Sequence, residues 1–244
     1  STTAELFIYT SSSCLIGPKF RQELDVRYAE LFHDLERGTD AIAFVDPYAD
    51  IESFRRRDAA RAELVQLIQG IMERREAAGP VEDPDERDLV DVLMSIKDED
   101  GNWHFSPDTV TGMFISMMFA GHHTTSTTAS WCIIELLRNP DVMARVVAEM
   151  DALAEANGGT ITYQDLREVP WLEASIKEAL RLHPPLILLL RLVAQPFEVG
   201  GYTIPPGKLV GASPAVSNRL PEAFDEPDRF DPSRYVEPRQ DDLD

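Results

Sequence analysis

Apolar residues recur at spacings of three and four through most of the chain, and the period shortens only near its end. Residues 4–28 read as helix with a break at Gly17-Pro18, where glycine permits a turn and proline removes a donor. A second break falls at Asp46-Pro47. Across 53–76, Phe54, Leu64, Leu67, Ile68, Ile71 and Met72 define one apolar face of a long amphipathic helix. Residues 78–85 form a Gly/Pro/acid loop, and 88–95 predict a short helix that turns Leu89, Val92, Leu93 and Ile96 inward. Ser106-Pro107-Asp108 joins an N-cap, a first-turn proline and a dipole-favoured acid, while Asn139-Pro140 is a stop. The helix between them is about thirty residues, roughly 45 Å at 1.5 Å rise. Its first half, 113–120, is apolar on nearly every side and predicts passage through a protein interior.

Helices over 141–156 and 163–182 follow, the second halted by Pro184-Pro185. The period then changes. Residues 186–193 are a mostly apolar run, and 197–199, 202–204 and 208–211 read as short strands. Gly200-Gly201 suits a two-residue hairpin, Pro206-Gly207 a type II turn, and 221–244 a Pro- and acid-rich loop. The fold expected is mainly α with a small late β-sheet, a single domain over 1–244 built around the long helix.

Charge narrows the partners. With 43 acidic against 23 basic residues and a net charge of -20, nucleic acid and anionic membrane surfaces are repelled. Arg55-Arg56-Arg57 reads as a solvated helix face. Polar residues from Gly121 onward interrupt the apolar part of the long helix before a membrane span accumulates, so no membrane segment is expected. Cys14 and Cys132 have neither disulfide-framework nor metal spacing, and read as small buried side chains in a reducing, cytoplasmic setting. Ser1 and the residues after it lack an initiator and a signal-peptide pattern, so the expectation is an internal piece of a longer chain.

Two segments carry chemistry. Ala120-Gly121-His122-His123-Thr124-Thr125 sets polar groups in the middle of the long helix, and Gly121 suggests close approach by something that a side chain would block. Adjacent helical histidines point about 100° apart, so a shared metal ion is not expected. A buried histidine is ordinarily a satisfied core group, with proton transfer as the functional reading. In the second segment, Glu178 and Arg181 are i, i+3 neighbours in apolar surroundings, where a second arginine from 227–235 could complete a buried network.

Together these segments resemble the cytochrome P-450 superfamily. Ala120-Gly121-x-x-Thr124 resembles its oxygen-activating segment, Glu178-x-x-Arg181 its Glu-x-x-Arg motif, and Pro227-Asp228-Arg229-Phe230 its Pro-x-Arg-Phe motif. His123, where most members carry an acid, and residues 8–17 are similar to the soluble bacterial sterol 14α-demethylases. The resemblance implies a partial P-450 fold and a haem cofactor, with dioxygen chemistry driven by a ferredoxin or similar redox partner. It also implies removal of a sterol 14α-methyl group as formate. His123 and Thr124 would relay protons. Ala120 and Gly121 would lie against haem, Arg191 would hold a propionate, and Glu178, Arg181 and Arg229 would form the ion-pair network. Phe119, Leu186, Ile187 and Leu188 would line the sterol pocket. The family's Phe-x-x-Gly-x-x-x-Cys-x-Gly loop is not found in the 244 residues, so the axial cysteine is expected beyond Asp244 and this chain alone is expected to be inactive. A haem monooxygenase on another hydrophobic substrate, or a non-catalytic sterol-binding helical protein, are the alternatives.

Overall fold

The computed structural model describes residues 2–38, 42, 46 and 48–239. It divides into two compact units, Ser1–His123 and Thr124–Asp244. Pro47 of the second predicted break, and the end of the acid-rich tail after 239, lie outside the described residues.

In the first unit α1 (Thr2–Leu15), α2 (Pro18–Glu23), α3 (Val26–Arg37), α4 (Glu52–Ala78) and α5 (Leu89–Ser95) precede α6 (Pro107–Arg138), whose first half belongs here. The predicted apolar face of α4 is the observed one: Phe54, Leu64, Ile68, Ile71 and Met72 are buried. All but Phe54 join Phe20, Phe32, Phe114 and Met118 in the first core. On the opposite side Arg55 and Arg56 stay exposed, meeting Asp50 at 2.8 Å and Glu52 at 2.9 Å, as a solvated face should.

The short helix α5 exists where expected, and Leu89 and Leu93 pack on the core as predicted. Val92 and Ile96 are instead exposed, whereas Val90 is buried and Met94 packs on the core. The cause is Asp88, which accepts from Asp91 N at 3.2 Å in a capping box and from Phe20 N at 2.9 Å. Arg75 grips the same carboxylate through two bonds, 2.6 and 2.8 Å, and also reaches Glu23 and Asp91. An anchored first turn decides which residues follow it inward. Cys14 departs from expectation too, since it is exposed on α1, while Cys132 is buried.

The second unit holds the rest of α6, then α7 (Pro140–Ala156), α8 (Pro170–Leu182), β1 (Leu189–Leu192), β2 (Phe197–Val199), β3 (Tyr202–Ile204), β4 (Leu209–Ala212) and α9 (Pro214–Ser217). The strands form two antiparallel pairs, β1 with β4 and β2 with β3, rather than one sheet. Gly200 and Gly201 make the β2–β3 turn at φ 58° and 82°, values that side chains resist. The helix predicted from 163 begins only at Pro170, after a single 3₁₀ turn at Asp165–Arg167. Proline disfavours α geometry at Val169 and has no N–H to continue a helix, yet it suits a first turn. Glu149 then accepts the free N–H groups of Trp171 and Leu172 at 2.9 and 3.0 Å.

The long helix α6 is interior only in part. Phe114 and Met118 are buried, and Cys132 and Leu136 pack with Val142, Val146, Leu182 and Phe230, but Ile133, Ile134 and Leu137 are exposed. For the first unit, Arg75→Ala is expected to destabilise folding by about 3–5 kcal/mol, because the buried Asp88 carboxylate and the half-buried Glu23 and Asp91 lose their partner. Urea denaturation followed by circular dichroism measures this, and a loss below about 1 kcal/mol contradicts it.

Candidate functional site

The polar segment of α6 meets α3. Glu36 on α3 is the meeting point: its Oε1 lies 3.4 Å from Nε2 of His122 and 3.2 Å from Nε2 of His123, and its Oε2 lies 3.0 Å from Nδ1 of His33. Adjacent histidines diverge on a helix, yet their ring tips reach the same carboxylate oxygen. His122 is buried against Phe32, edge to face at 5.9 Å, with its Nδ1 unpartnered, while His123 is exposed. Burial pushes His122 below the ordinary histidine range; Glu36 pulls it back, and His123 and His33 add to the lowering.

The neighbours of this pair explain the helix composition. A Cβ on Gly121 would stand 2.6 Å from Cδ1 of Leu15, so the close approach foreseen at Gly121 is that of α1. Ala120 is exposed. Phe119 is half-buried and tilted against Phe32 at 5.0 Å, part of the first core's margin. Thr124 begins the second unit, and its carbonyl accepts from the Thr128 hydroxyl at 2.7 Å, the back-bonding that threonine in a helix allows.

In the second unit Glu178 is fully buried. Arg181 binds it through Nε at 2.7 Å and Nη2 at 2.8 Å, and Asp231 N donates to it at 2.9 Å. The remaining Arg181 donors meet the carbonyls of Asn218, Pro227 and Arg229. Burial works against the Arg181 charge, but Glu178 outweighs it and holds the guanidinium protonated. The second arginine differs from expectation. The Arg229 side chain is exposed on Glu226 at 2.9 Å, and only its carbonyl joins the network; Arg234, buried, supplies Nε at 3.3 Å to Glu178. Arg229 follows Asp228 in a surface turn, so its side chain turns outward, while the helical turn Pro232–Tyr235 brings Arg234 inward.

Arg191 lies exposed on β1 and donates to the Leu190 carbonyl at 2.8 Å. Leu186, Ile187 and Leu188 are 57%, 67% and 50% exposed, which ordinary core does not explain. The sequence reading missed Glu36 and His33. Its available signal was the buried stripe Tyr28, Leu31, Phe32 and Leu35, which ends beside an acid.

Among the described residues no cluster of His, Cys, Asp and Glu could hold a metal ion, and no helix is long and apolar enough to cross a membrane. A mainly helical chain with two small antiparallel sheets and these polar sites has the fold of a solved structure described as retinoic acid bound cyanobacterial CYP120A1. The TM-score is 0.81 at 23% identity, over 100% of this chain and 53% of that one. The sequence profile of the cytochrome P-450 family matches residues 6–243, and the chain belongs to that family. It is 58% identical to a sterol 14α-demethylase of Mycolicibacterium vanbaalenii over 98% of this chain and 53% of the relative. It is 57% identical to one of Mycobacterium tuberculosis, with the same coverage. The chain thus spans about half the length of these curated relatives.

Two outcomes follow from the geometry. Arg181→Ala leaves Glu178 buried without its bidentate partner and is expected to cost about 3–5 kcal/mol, whereas Arg229→Ala should stay within about 0.5 kcal/mol. Thermal melts of both variants separate them. For His122, the lowered folded pKa means that the unfolded chain takes up the proton more readily. Its contribution to stability is therefore full above the unfolded value of about 6.5 and lost as pH falls through the folded one. Denaturation at pH about 7.5 and 5.5 should show a smaller drop for His122→Phe than for the wild type.

Proposed function

We propose that the chain is part of a haem monooxygenase that removes the 14α-methyl group of a sterol. The observation that carries the reading is the exposed His123, 3.2 Å from the Glu36 carboxylate and next to Thr124 in Ala120-Gly121-His122-His123-Thr124. An imidazole beside a carboxylate can lose and regain a proton near neutrality, and its neighbour carries a hydroxyl. The demethylases of Mycolicibacterium vanbaalenii and Mycobacterium tuberculosis support the same activity here.

The residues present suit haem. Arg191 is exposed, makes no ion pair among the described residues, and offers donors to a propionate. Ala120, small and exposed, leaves room for a flat ring, with Gly121 beside it on α6. Haem, when bound, supplies the activation of dioxygen. Neither cysteine is assigned to its iron: burial pushes the Cys132 thiol up, away from the thiolate, and Cys14 lies exposed on α1. Leu186, Ile187 and Leu188, exposed on the second unit, offer an apolar surface of the kind that a sterol requires, and Phe119 is a separate apolar candidate in the first unit. A ferredoxin or similar small donor provides electrons.

In this reading His123 is a proton-relay residue and Glu36 orients it. In haem-loaded protein containing this chain, His123→Ala is expected to retain sterol binding and lose demethylation by about a hundredfold or more. Glu36→Gln should lose less and shift the pH profile. Formate release from a panel of sterols, set beside binding affinity, measures both. Unchanged turnover in His123→Ala, or turnover of none of the sterols by the wild type, overturns the reading.

A further inference from the structure

We propose that His183 is a positioning residue, latching the apolar segment 186–188 onto α6 so that its side chains present a defined wall to the substrate. The inference deepens the sterol reading above and rests on it for the identity of that substrate.

His183 ends α8 as its C-cap residue. Its Nε2 lies 2.8 Å from Oε1 of Glu135, a carboxylate more than nine-tenths buried. The imidazole stacks on Trp131 with ring centroids 3.8 Å apart and planes within 5°. Trp131 and Glu135 are i, i+4 neighbours, so one stripe of α6 provides both contacts. The hydrogen bond fixes the ring in its own plane and the stack fixes it perpendicular to that plane. A buried carboxylate needs such partners, and Arg138, 3.5 Å from the same oxygen, is the other.

The charged groups around the latch have other occupations. Arg181 is committed to Glu178, and Arg219 donates to the Leu182 carbonyl at 2.8 Å and pairs with Asp228. The ring of His183 is thus the group that joins the end of α8 to Glu135. Beyond it come Pro184 and Pro185, whose rings fix φ and restrict the residue before each. The link to Leu186 is therefore stiff, and a displacement of His183 is passed on with little slack. At the far end the Ile187 carbonyl accepts from the Ser213 hydroxyl at 2.8 Å, and β1 pairs with β4. The exposed apolar residues are held between two anchors, the His183–Glu135 bond and the Ser213 hydroxyl, and of these two anchoring side chains only the imidazole is ionisable, so that a proton on it would strengthen its bond to Glu135.

The test has two arms on the full chain. In the first, methyl resonances of Leu186, Ile187 and Leu188 are followed by NMR from about pH 5 to 8, together with the His183 ring. The methyl shifts are expected to share the midpoint of the His183 ring. They should lose that step in Glu135→Gln and in His183→Gln, which keeps a donor without titrating. Methyls that ignore pH in the wild type, or that titrate unchanged in His183→Gln, overturn the latch. In the second arm, binding of the fluorescent sterol dehydroergosterol is measured. His183→Ala should weaken it about tenfold, the effect of one charge-assisted hydrogen bond, and His183→Gln should restore it to within about twofold. Equal binding by wild type and His183→Ala overturns the positioning role. No binding by the wild type overturns the sterol reading, and the methyl arm then decides the latch.

Discussion

Removing the Glu178 carboxylate from water is the constraint around which the second unit is organised. A fully buried carboxylate is tolerated only with its oxygens satisfied, and here Arg181, Arg234 and the Asp231 N–H do so. Meeting that demand fastens 218–234 to α8, although this stretch is rich in proline and acids and contributes only Phe230 to the apolar core. Asp88 plays the corresponding part in the first unit, where Arg75 ties α2, α4 and α5 together. In both cases a guanidinium, with donors in a planar fork, joins backbone segments that apolar packing alone would leave loose.

The polar residues of α6 follow a different logic. They make up much of the helix, and several find a partner on another element, as His122, His123 and Glu135 do, or in the previous turn, as Thr111, Ser116, Thr128 and Ser130 do. Glu36 of α3 gathers His33, His122 and His123, so one carboxylate reaches an imidazole that is buried and two that water can reach. Further along, Glu135 gathers His183. Helices rich in apolar residues thereby carry ionisable groups placed beside carboxylate partners.

Much of this was legible along the chain. The bounds of α4 and α6, the hairpin at Gly200-Gly201, the buried face of α4 and the Glu178–Arg181 pair all rest on local physics: periodicity, capping residues, turn chemistry and i, i+3 spacing. The departures have two kinds of cause, one tertiary and one local. Val92 and Ile96 face outward because Asp88 is held by an arginine thirteen residues earlier in sequence, and Arg234 replaces Arg229 because a turn reverses which side chain points inward. The late start of α8 was written in Pro170 and needed only that residue's steric rule.

By itself, then, the sequence determined the helical class, the long helix with its histidine pair and threonine, the late strands and the likeness to a haem-monooxygenase family. Tertiary structure alone decided which charged groups distant in sequence meet. Glu36 with His123, Glu135 with His183 and Arg75 with Asp88 are separated by anything from thirteen residues to more than eighty. No helical or strand period links such positions. Only the packing of one helix on another chooses a partner for each charge, because an ion leaves water solely where another group is already placed to receive it.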